Sequence, residues 1–191
     1  GDYLRAGTGV VGPEGVGTCA ACDGMFYKGK TVVVVGGGNS AVADALILAR
    51  IARKVILVHR RDTLRAEKVY LRALEEAENL EFKWNTTVSS VLHEDRVTGI
   101  RLQNVISGEV SEIACDAVFV SIGRIPNTGL LKDQVILDPQ GYVEAGESCR
   151  TNISGVFAVG DVRTKALRQI VTAAADGAVA VHYAVEYLAE A

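Results

Sequence analysis

The sequence lacks any apolar run near the roughly 18 residues that a membrane-spanning helix requires, so no transmembrane segment is expected. It also lacks a signal-peptide pattern, because Asp2, Arg5 and several glycines interrupt the first stretch. With a net charge of −3, it has no basic surplus to attract nucleic acid or an anionic membrane. These absences predict a soluble globular protein that binds neither nucleic acid nor membrane.

Cysteine is scarce, with four among 191 residues, and only Cys19 and Cys22 are close in sequence. This distribution excludes the dense disulfide framework of a small secreted scaffold. The isolated Cys115 and Cys149 are predicted to be buried apolar thiols. This distribution of cysteines is best explained by a protein of the reducing cytoplasm that has one redox-active dithiol.

Hydrophobic periodicity predicts an α/β fold from residue 31 onwards. Thr31–Val35 is a continuous β-branched run, typical of a strand buried on both faces, and Asn39–Ala52 has helical spacing. A second strand at Lys54–His59 and a helix at Leu64–Asn79 complete a β-α-β-α order. This order implies a parallel sheet with right-handed crossovers.

The later sequence changes character at about residue 80. Strand-like runs separated by turn signals predict an antiparallel meander at Glu81–Leu92, Val97–Val105 and Val110–Ile122. Short strands are then expected at Gln134–Leu137 and Val156–Val159. A long helix is expected at Ala166–Glu190, with a break near Asp176. We predict a domain boundary near Gly123–Thr128.

The segment Gly36–Ala41 has the G-x-G-x-x-A spacing of a dinucleotide-binding turn. In this motif Gly36 allows the tight turn, Gly38 allows close approach of the pyrophosphate, and Ala41 allows helix-on-strand packing. The helix N-terminus adds amide donors for the phosphates. A plain glycine turn is the alternative, but the strand before and the helix after favour dinucleotide binding. The predicted cofactor residues here are Gly36, Gly38, Asn39, Ser40 and Ala41.

A basic cluster begins 23 residues after Gly36, where an NAD site usually carries an acid for the ribose hydroxyls. The cluster consists of His59, Arg60, Arg61 and Arg65. Guanidinium groups bind a 2′-phosphate through charge-assisted, often bidentate hydrogen bonds. The alternative is a solvated patch balanced by Asp62 and Glu67. The position of the cluster favours the phosphate, and therefore NADPH over NADH.

The pair Cys19-x-x-Cys22 can form and break a disulfide, while the adjacent Asp23 shuttles a proton to a departing thiolate. Half of a structural zinc site is the alternative for the cysteines, but no other Cys or His has the required spacing. For Asp23 the alternative is a turn or cap residue. We therefore predict a redox dithiol with no metal, in an NADPH-linked disulfide reductase.

With these residues in place, the chain resembles the low-molecular-weight, bacterial-type thioredoxin reductases. Cys19–Gly24 resembles their redox motif, and Gly36–Ala41 and His59–Lys68 resemble their NADPH motifs. Gly155–Asp161 resembles their second flavin motif, in which the acid bonds the ribityl chain of FAD. Arg168–Ile170 resembles their segment along the isoalloxazine ring.

The resemblance implies electron transfer from NADPH through FAD and the cysteine pair to thioredoxin or a thioredoxin-like protein, in a cytoplasmic homodimer. It implies that Cys22 faces the flavin, that Cys19 attacks the partner disulfide, and that Asp23 is the acid–base. The resemblance extends the predicted cofactor site to Ile122, Gly123, Gly160, Asp161, Arg168, Gln169 and Ile170.

The implied fold is a Rossmann-type three-layer dinucleotide-binding domain with an antiparallel meander, plus the C-terminal part of a second, FAD-type domain. The segments would be a linker or FAD-domain remnant at 1–18, the NADPH domain at 19–124 and the FAD-domain part at 125–191. The family's segment for the FAD adenylate has no counterpart in the sequence, so this chain alone is expected to bind FAD weakly or not at all. An NADPH-binding fragment without turnover and a flavoprotein reductase of a peroxidase system remain alternatives.

Overall fold

The computed structural model describes residues 14–190. These residues form two compact units, with the division between Gly123 and Arg124. Most of the predicted linker at 1–18 lies outside the described residues. The assignment of one segment to NADPH and another to FAD stays a prediction.

The first unit contains two sheets and three α-helices within the described residues. Its strands are β1 Val16–Gly17, β2 Thr31–Val35, β3 Lys54–Val58, β4 Leu80–Lys83, β5 Thr86–His93, β6 Val97–Asn104, β7 Val110–Ala114 and β8 Ala117–Val120. Its helices are α1 Ala20–Asp23, α2 Asn39–Ala49 and α3 Lys68–Glu75. One sheet is parallel, in the order β1-β8-β2-β3-β4, and the other is antiparallel, in the order β5-β6-β7.

The central strand β2 shows how the layers are held together. Val32 and Val34 are fully buried in a cluster with Leu48 of α2. Val33 is buried in a different cluster, with Ile100 of β6. Because successive strand side chains point to opposite faces, the helices cover one face of the parallel sheet and the antiparallel sheet covers the other. The predicted α/β fold with three layers is therefore confirmed.

The predicted helix over Leu64–Asn79 is wrong at both ends, since α3 spans only Lys68–Glu75. Glu67, just before the helix, has an extended backbone with φ −64° and ψ 146°. Leu64 and Ala66 pack against the core from an irregular segment. Their burial produced an apolar pattern that resembled the start of a helix.

The predicted meander is correct for its middle run, which is β6, but two of its runs each contain two strands of different sheets. Glu81–Leu92 is divided by a turn at Trp84 and Asn85, where Asn85 has a positive φ of 52°, and β4 and β5 on either side of it belong to different sheets. Val110–Ile122 is divided before β8, where the Asp116 carboxylate accepts a hydrogen bond from the Thr31 amide at 2.9 Å. Such short breaks leave the hydrophobic pattern almost continuous.

The second unit has few regular elements among its described residues. They are the 3₁₀ turns Gly129–Leu131 and Gly160–Val162 and the helix α4 Ile170–Glu190. The predicted strands Gln134–Leu137 and Val156–Val159 are wrong, because these stretches contribute only isolated bridges from Leu137 and Phe157. Val135 and Ala158 pack into a small core instead, so burial explains their apolar character.

The long C-terminal helix begins at Ile170 rather than Ala166. It continues through Asp176, where the sequence predicts a break, so that prediction is wrong. The Asp176 side chain is buried inside the fold, and its carboxylate accepts hydrogen bonds from Arg163 and Lys165. No helix in the part of the chain that the structure describes is long and apolar enough to cross a membrane.

Candidate disulfide and dinucleotide site

A cleft of about 680 Å³ opens beside the carboxyl ends of β2, β3 and β8. Parallel α/β sheets bind their ligands outside these strand ends. The cleft is lined by Val35, Gly36, Gly37, Gly38, Asn39, Ser40, Val58, His59, Arg60, Arg65, Thr86, Thr87, Val88, Ser121, Ile122 and Gly123. It therefore brings together most of the cofactor-binding residues predicted in the first unit, including Ile122 and Gly123, but Ala41 and Arg61 do not line it.

The glycine turn has the geometry that its motif predicts. Gly36 has φ +152°, and a Cβ there would lie 2.3 Å from the carbonyl oxygen of Ser121 and 2.7 Å from the Ala41 Cβ. Gly38 is the N-cap of α2, and no described atom lies within 4 Å of the position of its missing Cβ. A ligand phosphate therefore has room to approach the first amides of α2.

His59 lies beneath this turn and differs from the rest of the basic cluster. It is 6% exposed, and its ring is so close that a Cβ on Gly37 would lie 2.2 Å from it. Burial lowers the pKa of His59 below its usual value, against the opposing effect of a hydrogen bond with the Thr63 backbone. The imidazole is therefore neutral near pH 7 and supports the turn, while the arginines carry the charge.

The three arginines of the basic cluster are exposed, and Arg60 and Arg65 line the cleft. Their side chains make no hydrogen bond or ion pair with any residue between 14 and 190. Glu67, expected in the alternative interpretation to balance them, is bonded to Asn39 instead. The cluster thus presents guanidinium groups that are available to an anion.

Cys19 and Cys22 form a disulfide, with their Cα atoms 5.3 Å apart. Cys19 is the half-buried N-cap of α1 and Cys22 is exposed. The amides of Cys22 and Asp23 both donate to the Cys19 carbonyl at 3.1 Å, which closes the short helix around the pair. The predicted disulfide is confirmed, and within residues 14–190 the cysteines belong to no cluster that could hold a metal ion.

Asp23 is half-buried next to the disulfide. Its carboxylate lies 3.5 Å from where a Cβ on Gly17 would be. Burial is the main cause that raises the pKa of the Tyr27 hydroxyl, and the negative charge of Asp23 adds to it. Asp23 therefore lies directly beside the disulfide in sequence and is partly shielded from solvent.

Asp44, on α2, is a site residue that the sequence did not indicate. One carboxylate oxygen accepts the Ala20 amide at 3.1 Å, at the start of α1, and the other accepts the Ser121 hydroxyl. The helix that begins at the glycine turn therefore holds the disulfide segment and one wall of the cleft together. Asp44 has no motif around it, and only the tertiary contacts identify it.

The residues predicted for a flavin lie in the second unit, around the turn Gly160–Val162. Asp161 is exposed, with the Arg124 guanidinium 3.9 Å away. Arg168 donates to the Asp161 carbonyl at 3.2 Å and stacks over the Tyr142 ring at 3.9 Å. Gln169 is half-buried and Ile170 is exposed. Asp161 is thus the exposed acid of this turn, whereas the Arg168 side chain is engaged in holding the turn.

A buried ion cluster supports this turn. Asp176 accepts two hydrogen bonds from Arg163, at 2.7 and 2.8 Å, and one from Lys165 at 2.7 Å. It also accepts the Gly160 amide at 2.8 Å. The hydrogen bonds from Arg163 are the largest cause that holds the Asp176 pKa well below its usual value. No sequence pattern indicates this role, since the sequence predicts a break in the helix near Asp176.

The two isolated cysteines give a first prediction. Cys115 and Cys149 are buried, and burial raises the pKa of Cys115 to about 12 and raises that of Cys149. Because only the thiolate reacts readily, mild reduction followed by alkylation should label Cys19 and Cys22 quickly and the other two slowly. Peptide mass spectrometry measures this difference. Equal labelling of all four cysteines in the folded protein would contradict it.

This combination of fold and site defines the class of α/β oxidoreductases that pair a dinucleotide turn with a redox disulfide. The chain belongs to the pyridine nucleotide-disulphide oxidoreductase family, whose model matches residues 8–177.

Relatives within this family narrow the comparison. The chain is 45% identical to the thioredoxin reductase of Treponema pallidum over 175 residues, which cover 92% of this chain and 57% of that protein. It is 42% identical to the thioredoxin reductase of Bacillus subtilis, over 94% of this chain and 57% of the relative. The crystal structure of thioredoxin reductase from Streptococcus pyogenes matches with a TM-score of 0.87 and 41% identity, over 96% of this chain and 62% of that one.

The predicted resemblance to thioredoxin reductases is confirmed by these matches. The chain spans about 57% of the length of the curated relatives named above.

Proposed function

We propose that this chain works in an NADPH-dependent flavoprotein disulfide reductase, in which electrons pass from NADPH through FAD and the Cys19–Cys22 pair to thioredoxin. One observation carries the proposal: a single α/β unit holds both a disulfide and a glycine turn of the dinucleotide-binding type. The turn is flanked by arginines whose side chains have no hydrogen-bond or ion-pair partner among residues 14–190. The similarity to named thioredoxin reductases supports the choice of substrate.

The nucleotide end of the reaction depends on the first unit. The amides at the start of α2 would bind the pyrophosphate, and Arg60, Arg61 and Arg65 would bind the 2′-phosphate. His59, held neutral by burial, would keep the glycine turn in position. Ser40, Ile122 and Gly123 would line the rest of the cleft.

A bound FAD would supply the chemistry that links the hydride of a nicotinamide to the two electrons that a disulfide takes up. Asp161, the exposed acid of the second unit, would accept hydrogen bonds from its ribityl hydroxyls. Gly160 would give the turn its shape, with φ +74°. Arg168, Gln169 and Ile170 would border the ring system, and Asp176 would hold the turn from behind.

The disulfide end consumes two electrons and two protons and yields two thiols. By resemblance, Cys19 then attacks the disulfide of thioredoxin and forms a mixed disulfide, which Cys22 resolves. The partner leaves as a dithiol, and Cys19–Cys22 is again oxidised. Asp23 would give or take the proton at the departing sulfur.

The setting of this reaction is also part of the proposal. Sparse cysteines with one working pair suit a reducing cytoplasm. A homodimer is proposed from the resemblance, and size-exclusion chromatography with light scattering tests it.

Selectivity for the phosphorylated cofactor is the direct test. The chain should bind NADPH at least tenfold more tightly than NADH, because charged hydrogen bonds contribute roughly 1.5–3 kcal/mol each. Changing Arg60 and Arg61 together to alanine should remove most of that difference by weakening NADPH alone. Calorimetric titration of both cofactors measures it.

Two results bear on the alternatives. Equal affinity for NADH and NADPH in the unchanged protein would falsify the phosphate assignment. Selective NADPH binding with neither flavin absorbance nor thioredoxin reduction, even when the family's FAD-adenylate segment is supplied as a separate polypeptide together with FAD, would favour the NADPH-binding module without turnover.

A further inference from the structure

A reciprocal hydrogen-bonded pair joins α2 to the segment that carries the basic cluster. The Asn39 side-chain amide donates to a carboxylate oxygen of Glu67 at 2.9 Å. The Glu67 backbone amide donates back to the Asn39 side-chain oxygen, also at 2.9 Å. We name this two-bond contact the Asn39–Glu67 clasp; it connects residues that are 28 positions apart.

The segment 60–67 has no helix or strand to fix its position. Near its end the Arg65 amide donates to the Gly37 carbonyl at 2.7 Å, two residues before the clasp. At its start the Arg61 carbonyl accepts the Asn85 amide at 3.1 Å. Leu64 and Ala66 add apolar packing against the core. Among the hydrogen bonds of the described residues, the clasp is the only one in which a side chain of this segment ties it to the glycine turn.

We propose that Glu67 is a positioning residue for cofactor selectivity, which it sets by holding the arginine-bearing segment against the dinucleotide turn. The inference rests on the proposed NADPH function. A guanidinium gains most from a phosphate when its backbone is already in place, since less freedom is then lost on binding. NADH has no 2′-phosphate, so its binding should depend much less on where this segment holds the arginines.

The charge of Glu67 acts in the opposite direction from the clasp. A carboxylate close to an anion site repels the anion and weakens NADPH binding. If Glu67 mattered only as a charge, every neutral replacement would bind NADPH more tightly. If it positions the arginines, the result depends on whether the replacement keeps the hydrogen bond to Asn39.

Three variants separate the two effects. Glu67→Gln removes the charge and keeps an oxygen for the Asn39 amide, so its NADPH affinity should equal or exceed that of the unchanged protein. Glu67→Asp keeps the charge but is too short for the contact, so its NADPH affinity should fall. Glu67→Ala removes both, and its NADPH affinity should fall about tenfold, equivalent to about 1.4 kcal/mol.

The experiment is titration of the full chain with NADPH and with NADH, alongside a melting curve for each variant. NADH affinity should stay within about twofold throughout, because the amides of α2 are unchanged. Glu75→Ala is the matched control. Glu75 is exposed on α3, so its replacement removes one negative charge and leaves the Asn39–Glu67 clasp unchanged. Its NADPH and NADH affinities should match those of the unchanged protein.

Several results would overturn the proposal. They are an unchanged NADPH affinity in Glu67→Ala, an equal loss for both cofactors, or a loss in Glu67→Gln as large as in Glu67→Asp. A different result bears on the proposed function: if the unchanged protein binds both cofactors equally, the phosphate site itself is wrong and the positioning role falls with it. Should Glu67→Ala melt early, the comparison of the glutamine and aspartate variants still decides the question.

Discussion

Replacing Asp176 with asparagine is expected to lower the free energy of unfolding by about 3–5 kcal/mol, because it leaves two buried cations without their counter-ion. Asp176 is 6% exposed and bonds Arg163 and Lys165 at 2.7–2.8 Å. Asparagine keeps the shape of the side chain and still accepts hydrogen bonds, so the loss of stability measures the contribution of the negative charge. Chemical denaturation of the whole chain, with hydrogen exchange along α4, measures the effect and where it occurs.

The pH dependence of this effect has a defined sign. Hydrogen bonds from Arg163 are the largest cause that lowers the Asp176 pKa in the folded protein, so the carboxylate stabilises the fold above its unfolded pKa of about 3.9. That contribution is lost progressively as the pH falls below about 4. The difference between the unchanged protein and Asp176→Asn should therefore be constant from pH 5 to 8 and shrink in acid.

Glu186→Gln is the matched control for Asp176→Asn. Glu186 lies 3.4 Å from Arg150 and 3.3 Å from His182, but these side chains are between 46% and 69% exposed. Exposed pairs contribute about 0–1 kcal/mol, so the same loss of one charge should have little effect here. Equal destabilisation by both changes would show that the buried cluster is not special.

Replacing Gly36 with alanine should both destabilise the first unit and abolish dinucleotide binding. The positive φ of 152° costs about 1–3 kcal/mol for a residue with a Cβ. Overpacking adds about 1–3 kcal/mol, because the new atom would lie 2.3 Å from the Ser121 carbonyl oxygen, a backbone atom that cannot move aside cheaply. Denaturant melts and NADPH titration measure the two effects.

Substitutions at two other glycines separate the cost of backbone strain from the cost of steric overlap by the added Cβ. Gly29 has a positive φ of 72°, but the space around an added Cβ is open. Gly29→Ala should therefore lower the free energy of unfolding by only about 1–2 kcal/mol. Gly38→Ala has φ −100° and open space, so stability should hardly change while NADPH affinity falls. A Gly36→Ala protein as stable as Gly38→Ala would contradict the observed turn geometry.

Local residue patterns were enough to predict the features that depend on neighbouring residues. The strand Thr31–Val35, the glycine spacing from Gly36 and the start of α2 at Asn39 follow from local sterics and periodicity. The Cys19–Cys22 disulfide follows from a two-residue spacing that one short helical turn brings into reach. These predictions hold because the residues that decide each feature are adjacent in the chain.

Features that depend on residues far apart in the chain are visible only in the folded protein. Asp44 reaches Ala20 across 24 positions, Glu67 reaches Asn39 across 28, and Asp176 reaches Arg163 across 13. A single polar residue forms no periodic pattern, so the sequence cannot show whether its side chain is solvated or hydrogen-bonded to a distant residue. The predicted run Glu81–Leu92 is likewise divided between two sheets. A turn of two residues hardly alters the hydrophobic pattern of the sequence, but it changes which strands the following residues contact.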